Sequence, residues 1–241
     1  MIHVVAAVVI DGEGRVLIAQ RPKKKHLAGG WEFPGGKLEP GEERLAGLSR
    51  ELREEIGIAI AKPRPLIRVH HSYPRREILL DVWVVRSYTG EPRGLEGQAL
   101  RWCAQQDLTS ADLLPADKPI VAALRLPERL KQVFTPWYGI TDLSSLREST
   151  HHGRLRGVFV EGLEDGAAAA RLDADFLALR NVLGAGELTA LCDSVPVPVY
   201  ARGIGLEQAW TLGASGMNEI AMTYAFHVSH LFQKSQPMCG A

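Results

Sequence analysis

Residues 36–58, GKLEPGEERLAGLSRELREEIGI, set several acids at fixed spacing around one arginine. Gly36, Glu42, Arg50, Glu51, Leu52, Glu54, Glu55, Gly57 and Ile58 form the pattern G-x5-E-x7-R-E-U-x-E-E-x-G-U, with U aliphatic. If each required type occurs about once in fifteen positions, this set arises by chance below about 10⁻⁸ per starting residue. On a helix turning about 100° per residue, Glu51 and Glu55 lie about 40° apart, with Glu54 about 60° to the other side of Glu51. The three carboxylates therefore share one face. A run such as RELREE can also be an ordinary solvated face laced with i,i+4 pairs. Here the acids outnumber the bases and repel one another unless a cation lies among them. Hard oxygen ligands at this density suit Mg²⁺ or Mn²⁺, and such ions bridge to the phosphates of a substrate.

The flanking elements must hold that helix in place. Residues 3–10 are rich in β-branched types, Asp11-Gly12-Glu13-Gly14 is a turn signal, and residues 15–20 form a second apolar run. This order predicts a β-hairpin. Trp31-Glu32-Phe33-Pro34-Gly35-Gly36 then brings aromatic residues against glycines. Pro40-Gly41-Glu42-Glu43 opens the helix, Leu45, Leu48, Leu52 and Ile56 repeat at helical spacing, and Gly57 ends it. Leu45, Leu48 and Leu52 form a face that can anchor the helix to a core. Further strands are predicted at residues 66–73, 77–87 and 100–103, with a closing helix at residues 118–130. The order predicts a mixed sheet with helices packed against it.

This part of the chain, residues 1–130, resembles the Nudix hydrolases and, within them, the MutT subgroup that hydrolyses oxidised nucleoside triphosphates. Beyond the acidic box, the resemblance includes Arg21-Pro22, His26, WEFPGGK at residues 31–37, GEPRGLEGQ at residues 90–98 and LPADKP at residues 114–119. It implies an α+β sandwich and attack of water on a phosphorus of a nucleoside triphosphate, giving the monophosphate and pyrophosphate, with 8-oxo-dGTP as the expected substrate. Carried over by residue, it implies Glu54 and Glu55 as principal ligands of Mg²⁺ or Mn²⁺. Glu51 is implied as ligand or base, and the Gly35 carbonyl and Glu96 as further ligands. Glu51 and Glu96 both remain candidates for the base. Arg50 would orient Glu42 through a charge-assisted hydrogen bond beside Gly36. Arg21 and His26 would meet the substrate, while Phe33 and Tyr73 would line the base pocket. Asp117 stands where MutT-type enzymes place an asparagine that hydrogen-bonds the oxidised purine. Ionised Asp only accepts, whereas Asn both donates and accepts, so the substitution bears directly on recognition of the oxidised base. A Nudix enzyme for an undamaged nucleotide or a thiamine-related diphosphate is the competing expectation.

Residues 131–241 read differently. Apolar strands are predicted at residues 137–141, 157–161, 176–180 and 197–201, alternating with helices at 165–172, 187–193 and 206–212. Such alternation predicts parallel βα units. The pieces TPWYGITD, RGVFVEG, RLDADFLALRNVL, VPVYARGIG and TLGASGMNEI resemble a thiamine phosphate synthase type barrel. About 110 residues are too few for a full barrel of at least about 200. The fold expected is therefore α/β overall: a Nudix sandwich followed by a partial βα-barrel-like domain. Gly203 and Gly205 match a late phosphate loop of such barrels, or serve as turn formers. An incomplete sheet has edges to cover, by the first part, a second subunit or the tail, which implies a structural or dimerising role. A binding or regulatory module for thiamine phosphates is the alternative.

The whole chain of 241 residues carries 28 Lys+Arg against 28 Asp+Glu, for a net charge of zero. That balance excludes the basic excess needed to bind long nucleic acid. It conceals +3 over residues 1–130 and −3 over residues 131–241. Lys23-Lys24-Lys25 could steer a triphosphate or form an ordinary solvated loop. Cys103, Cys192 and Cys239 are far apart and match no disulfide framework or zinc spacing. His70-His71 and His151-His152 show no ligand spacing either. The opening MIHVVAAVVIDGEGR has no charged leader region, and its apolar run breaks at Asp11, too soon to span a bilayer. A soluble cytoplasmic protein with a nucleotide substrate and no membrane partner is expected.

Overall fold

Ile2–Val9 forms β1, a strand that becomes fully buried from Val5 onward. The structure, a computed structural model, describes residues 1–22, 27–148 and 153–221. Val5, Ala7 and Val9 pack with Leu48, Leu52 and Ile56 of helix α1, Arg44–Ile56. Ala6 and Val8 face a second cluster containing Ile120 and Val121 of helix α2, Lys118–Arg125. A strand covered on both faces needs apolar residues at both parities, so the run is continuous rather than alternating.

The remaining elements of the first part are β2 (Val16–Gln20), β3 (Trp31–Glu32), β4 (Gly35–Lys37), β5 (Ala59–Ala61), β6 (Arg64–Tyr73), β7 (Arg76–Val85), β8 (Ser87–Thr89) and β9 (Leu100–Cys103). The central sheet runs β4-β1-β7-β6; β1 is parallel to β7 and antiparallel to β4. A second sheet runs β3-β2-β9, and β5 pairs with β8. The expected hairpin is therefore replaced by a divergence. Both edges of β1 are occupied by β4 and β7, so β2 pairs with β3 and β9 instead, leaving a single bridge between Ile10 and Val16. The turn itself forms as read, with Asp11 Oδ1 accepting from the backbone N–H of Glu13 and Arg15 at 3.0 and 2.8 Å.

Helix α1 ends at Gly57, whose φ of 72° is the left-handed cap and whose N–H returns to the Arg53 and Leu52 carbonyls. Leu45 departs from its expected anchoring role and is 44 % exposed. Its angular position matches the buried stripe, but it lies in the first turn, short of the part of the helix that the sheet covers. Helix α2 stops at Arg125, five residues before the expected end. Pro127 explains this, because the residue before a proline is driven out of the helical region, and Leu126 is extended at φ −93°, ψ 145°.

The second part is a six-stranded, wholly parallel sheet in the order β10-β15-β14-β13-β12-β11. Its strands are β10 (Arg129–Leu130), β11 (Tyr138–Asp142), β12 (Leu155–Val160), β13 (Phe176–Leu179), β14 (Val199–Ala201) and β15 (Gly216–Asn218). Helices α3 (Leu163–Arg171), α4 (Ala185–Ser194) and α5 (Leu206–Thr211) connect them. The predicted βα alternation appears, with β10 and β15 as strands not foreseen. One face buries Val158, Leu177 and Leu191 among the helices, while the other gathers Tyr138, Phe159, Phe176 and Tyr200 with Leu126 beside α2. Cys103 and Cys192 are buried free thiols, and Cys239, His151 and His152 lie outside the described residues. Among the described residues no helix is long and apolar enough to cross a membrane.

The fully buried Leu52 anchors α1 to β1, so Leu52→Ala is expected to cost about 2–5 kcal/mol in urea unfolding. Leu45→Ala, at the exposed end of the same stripe, should stay within about 0.5 kcal/mol of wild type.

Candidate functional site

A cavity of about 520 Å³ opens between β1, β4, β7 and the acidic face of α1. Strand β4 lies in register with β1, Gly36 opposite Val5 and Gly35 opposite Ala6. A Cβ on Gly35 would overlap the Val5 carbonyl, and one on Gly36 would occupy the space of the Glu51 carboxylate. The bare backbone thus lets Glu51 and Glu55 approach the strand. Glu55 Oε2 accepts from the Gly35 N–H at 3.1 Å. Glu96, carried by the loop after β8, joins Glu51 and Glu55 in lining the cavity. That loop is fastened to the C-terminal end of α1, since the Leu95 N–H donates to the Glu55 carbonyl at 2.9 Å and Gln98 Nε2 to the same carbonyl at 3.0 Å.

Arg50 organises the acids. Its Nε and Nη2 donate to the two carboxylate oxygens of Glu42 at 2.9 and 2.8 Å, the bidentate geometry that suits guanidinium and carboxylate. Its Nη1 donates to Glu51 at 2.9 Å and to Glu54 at 3.3 Å. The cation expected among the acids is thus supplied in part by the chain itself. The Arg50 bonds, with the Glu39 N–H, hold the Glu42 carboxyl down at about 2. Glu54 has a side chain 61 % exposed and does not line the cavity, nor do Arg50 and Glu42.

Much of the remaining lining is apolar. Phe33, Tyr73, Leu114 and Ala116 line the cavity together with Ile2, Val4, Ile78 and Leu80. Asp117 sits among them, only 5 % exposed. Burial, reinforced by the nearby Glu32 charge, raises its carboxyl well above the usual range, and Arg21 only partly opposes this. Arg21 is ion-paired to Glu32, and both act on Asp117. Burial and the Asp117 charge also raise the Tyr73 phenol. Among the expected residues, Gly35, Gly36, Glu51, Glu55, Glu96, Arg21, Phe33, Tyr73 and Asp117 are brought to one cavity. His26 lies outside the described residues. Glu32, Lys37 and Arg76 also line the cavity and were not foreseen. The WEF segment carried a signal for Glu32, an acid between two aromatics.

A match to the NUDIX domain model spans residues 5–123. The chain is 42 % identical over 123 residues to the CTP pyrophosphohydrolase of Escherichia coli (strain K12), covering 51 % of this chain and 90 % of that protein. The chain belongs to the Nudix family. It is also 33 % identical over 124 residues to the 8-oxo-dGTP diphosphatase of the same organism, covering 52 % of this chain and 96 % of that protein. Against the 8-oxo-dGTP diphosphatase of Proteus vulgaris it is 46 % identical over 90 residues, covering 37 % and 80 %. This Nudix chain is therefore a pyrophosphohydrolase by family, and Nudix hydrolases generally need a divalent metal.

The donor set fits such an ion. Glu51, Glu55 and Glu96 offer hard oxygens to one cavity, and Gly35 and Gly36 leave the backbone beside them bare. As these side chains stand, no group of three His, Cys, Asp or Glu is gathered closely enough to hold a metal among the described residues. Arg50 and the Gly35 N–H occupy oxygens that an ion would compete for.

An acid whose folded pKa is raised lends stability below its unfolded value, near about 4, and loses it as pH rises toward the folded value. Asp117→Asn, which cannot ionise, should therefore melt increasingly above wild type from pH 4 upward and level off beyond the folded pKa. Each kcal/mol recovered corresponds to about 2–4 °C in a thermal melt. Equal melting at pH 5 and pH 8 would count against the burial argument.

Proposed function

We propose that this Nudix enzyme hydrolyses a nucleoside triphosphate to the monophosphate and pyrophosphate, with an oxidised guanine nucleotide, 8-oxo-dGTP, as its main substrate. The observation that carries the substrate reading is the buried Asp117 in the cavity lined also by the acids Glu51, Glu55 and Glu96. Its raised pKa favours the neutral carboxyl, which has one donor and one acceptor. A neutral Asp117 thereby reproduces the hydrogen-bonding pattern of an asparagine amide. The 8-oxo-guanine edge carries an N7–H donor beside the O6 acceptor, and a neutral carboxyl satisfies both. Ordinary guanine has acceptors at both positions and would leave one group unpaired. Each such unpaired buried group costs about 1–3 kcal/mol, a discrimination of about 5- to 150-fold. The same neutral carboxyl also fits the N3 acceptor and exocyclic amine of cytosine, so a cytidine nucleotide is the second reading, in keeping with the CTP pyrophosphohydrolase relative.

Glu51, Glu54, Glu55, Glu96 and the Gly35 carbonyl would hold Mg²⁺ or Mn²⁺. When bound, the metal supplies positive charge to the phosphate oxygens and to the attacking water. Glu54 reaches that role by turning in from solvent, a movement its exposure permits. Arg50 holds Glu42 and Glu51 in position through its hydrogen bonds. Phe33 and Tyr73 border the base, and the apolar side chains of Ile78 and Leu80 exclude water from it. Either Glu51 or Glu96 can take the proton of the attacking water, since both face the cavity.

Pyrophosphate release across 8-oxo-dGTP, dGTP, CTP and dCTP tests this reading. Glu55→Gln and chelation should each lower the rate by at least about a hundredfold, in line with the loss of a metal ligand. Preference for 8-oxo-dGTP over dGTP should survive in Asp117→Asn, and in wild type the catalytic efficiency on 8-oxo-dGTP should fall as pH rises and Asp117 ionises, because the carboxylate can no longer donate to O6. A pH-independent preference for dGTP would refute the role given to Asp117.

A further inference from the structure

Helices α4 and α5 of the parallel sheet pack on β6, the edge strand of the central sheet. Arg68 stands on β6 directly across from Asp81 on β7. Asp81 is the one acid in the run Ile78 to Val85, and it is only 3 % exposed. Its Oδ2 accepts from Arg44 Nη1 at 2.9 Å and lies 3.5 Å from Arg68 Nε. His3 Nε2 stands 3.8 Å away. Burial pushes the Asp81 carboxyl up, but His3, Arg44 and Arg68 together outweigh it and leave the carboxyl below its ordinary value. Arg44 is the first residue of α1, the helix that carries Glu51, Glu54 and Glu55.

The far side of Arg68 belongs to the second part. Its Nη1 donates to Asp193 Oδ1 on α4 at 3.0 Å, and its Nη2 reaches the Thr211 carbonyl on α5 at 3.4 Å. Gly213, at φ +98°, keeps the space beside the Arg68 guanidinium and Cys192 clear. The Arg68 side chain is consequently 10 % exposed. A continuous chain of charges, Arg44, Asp81, Arg68, Asp193, thus links the start of the acidic helix to the parallel sheet. The E. coli relatives are 90 % and 96 % covered by about half of this chain, so the docked half is additional to what they share.

The geometry points to Arg68 as a positioning residue for hydrolysis, through which the docked helices α4 and α5 fix the pose of α1 and so of its metal-binding glutamates. Placing Asp81 in the interior is costly unless both of its cationic partners hold it. With α4 and α5 in place, Arg68 is withdrawn from water and its pull on Asp81 is less screened. Asp81 in turn holds the half-exposed Arg44, pinning the first turn of α1. The inference rests on the metal-dependent reading above, and its test separates the two.

Mn²⁺ binding followed by electron paramagnetic resonance, with pyrophosphate release as a second readout, compares wild type with Arg68→Met, Arg68→Lys, Asp193→Asn and Arg64→Met. Arg64 is at the same junction, its guanidinium 4.8 Å from the Trp210 ring, but outside the charge chain. Arg68→Met should weaken Mn²⁺ binding about threefold or more, below the 10- to 100-fold seen for direct partners of metal ligands. Asp193→Asn, on a partly exposed side chain, should act in the same direction without threatening the fold. Nucleotide KM at saturating metal should stay within about twofold in both, because the base pocket is untouched, and Arg68→Lys should recover part of the loss. Arg64→Met should bind Mn²⁺ like wild type. Unchanged Mn²⁺ affinity in both Arg68→Met and Asp193→Asn overturns the proposal alone, as does an equal loss in Arg64→Met. Wild type that neither binds Mn²⁺ nor releases pyrophosphate overturns the hydrolytic reading and this proposal with it.

Discussion

Strand β4 has to pass between β1 and the acids of α1, and only a pair of residues without side chains can do so. Gly35 touches the β1 backbone and Gly36 touches the Glu51 carboxylate, so any substitution at either position would push apart the surfaces that form the cavity floor. The rest of the first part follows from that closeness. Helix α1 must lie flat on β1, which requires Val5, Ala7 and Val9 on one side of the strand and Leu48, Leu52 and Ile56 on the helix. Because the opposite face of β1 is covered by α2, the strand cannot tilt away to relieve the contact. The glutamates are held near the backbone by packing, and their own charges work against that arrangement.

Arg50 and the Gly35 N–H answer that repulsion, and they do so with bonds that a divalent ion can replace. Glu42, held down at about 2 by Arg50, remains charged across the physiological range and so keeps Arg50 in place when Glu51 or Glu54 turns elsewhere. Within the cavity, Asp117 is pushed the other way. Asp117 is buried beside Glu32, and the two like charges favour one neutral carboxyl. One cavity therefore brings together the acids Glu51, Glu55 and Glu96 and a buried carboxyl, Asp117, that its surroundings favour in the neutral form.

The acidic box was legible because every residue it needs lies within one helix and its entry, where spacing translates directly into geometry. The βα alternation of the second part was legible for the same local reason. Pairing was not. Nothing in residues 1–20 states that β1 has both edges occupied by strands from later in the chain, so a local turn signal was read as a hairpin. Leu45 failed because angular periodicity says which face a residue lies on and not where along the axis the cover ends. Asp117 was found by its place in a motif, but its unusual protonation depends on burial and on Glu32, 85 positions away in sequence. Asp81 carried a signal that could have been read: an acid in the middle of a strand otherwise apolar on both faces must have a cationic partner. Which partner, and that it would reach on to α4, depended on contacts 125 residues apart.

The docked parallel sheet also resolves the difficulty that an open sheet poses for itself. Its two faces are buried, one under α3, α4 and α5 and the other against a cluster that includes Leu126 and, partly, Ala122 of α2. The outer edge of β11 is met by the chain that leads into it, with the Ile140 N–H donating to the Val133 carbonyl at 2.8 Å and the Thr135 N–H to the Tyr138 carbonyl at 2.9 Å. Edge protection of this kind blunts pairing with other chains. Docking gives β6 the same benefit in return, since the helices that need an apolar cover are those that shield it. The junction is polar at its centre, however, because Arg68 must stay solvated by something once α4 and α5 arrive. Asp81 on one side and Asp193 on the other provide that substitute for water, and a charge chain through the junction follows from burying an arginine there rather than an apolar side chain.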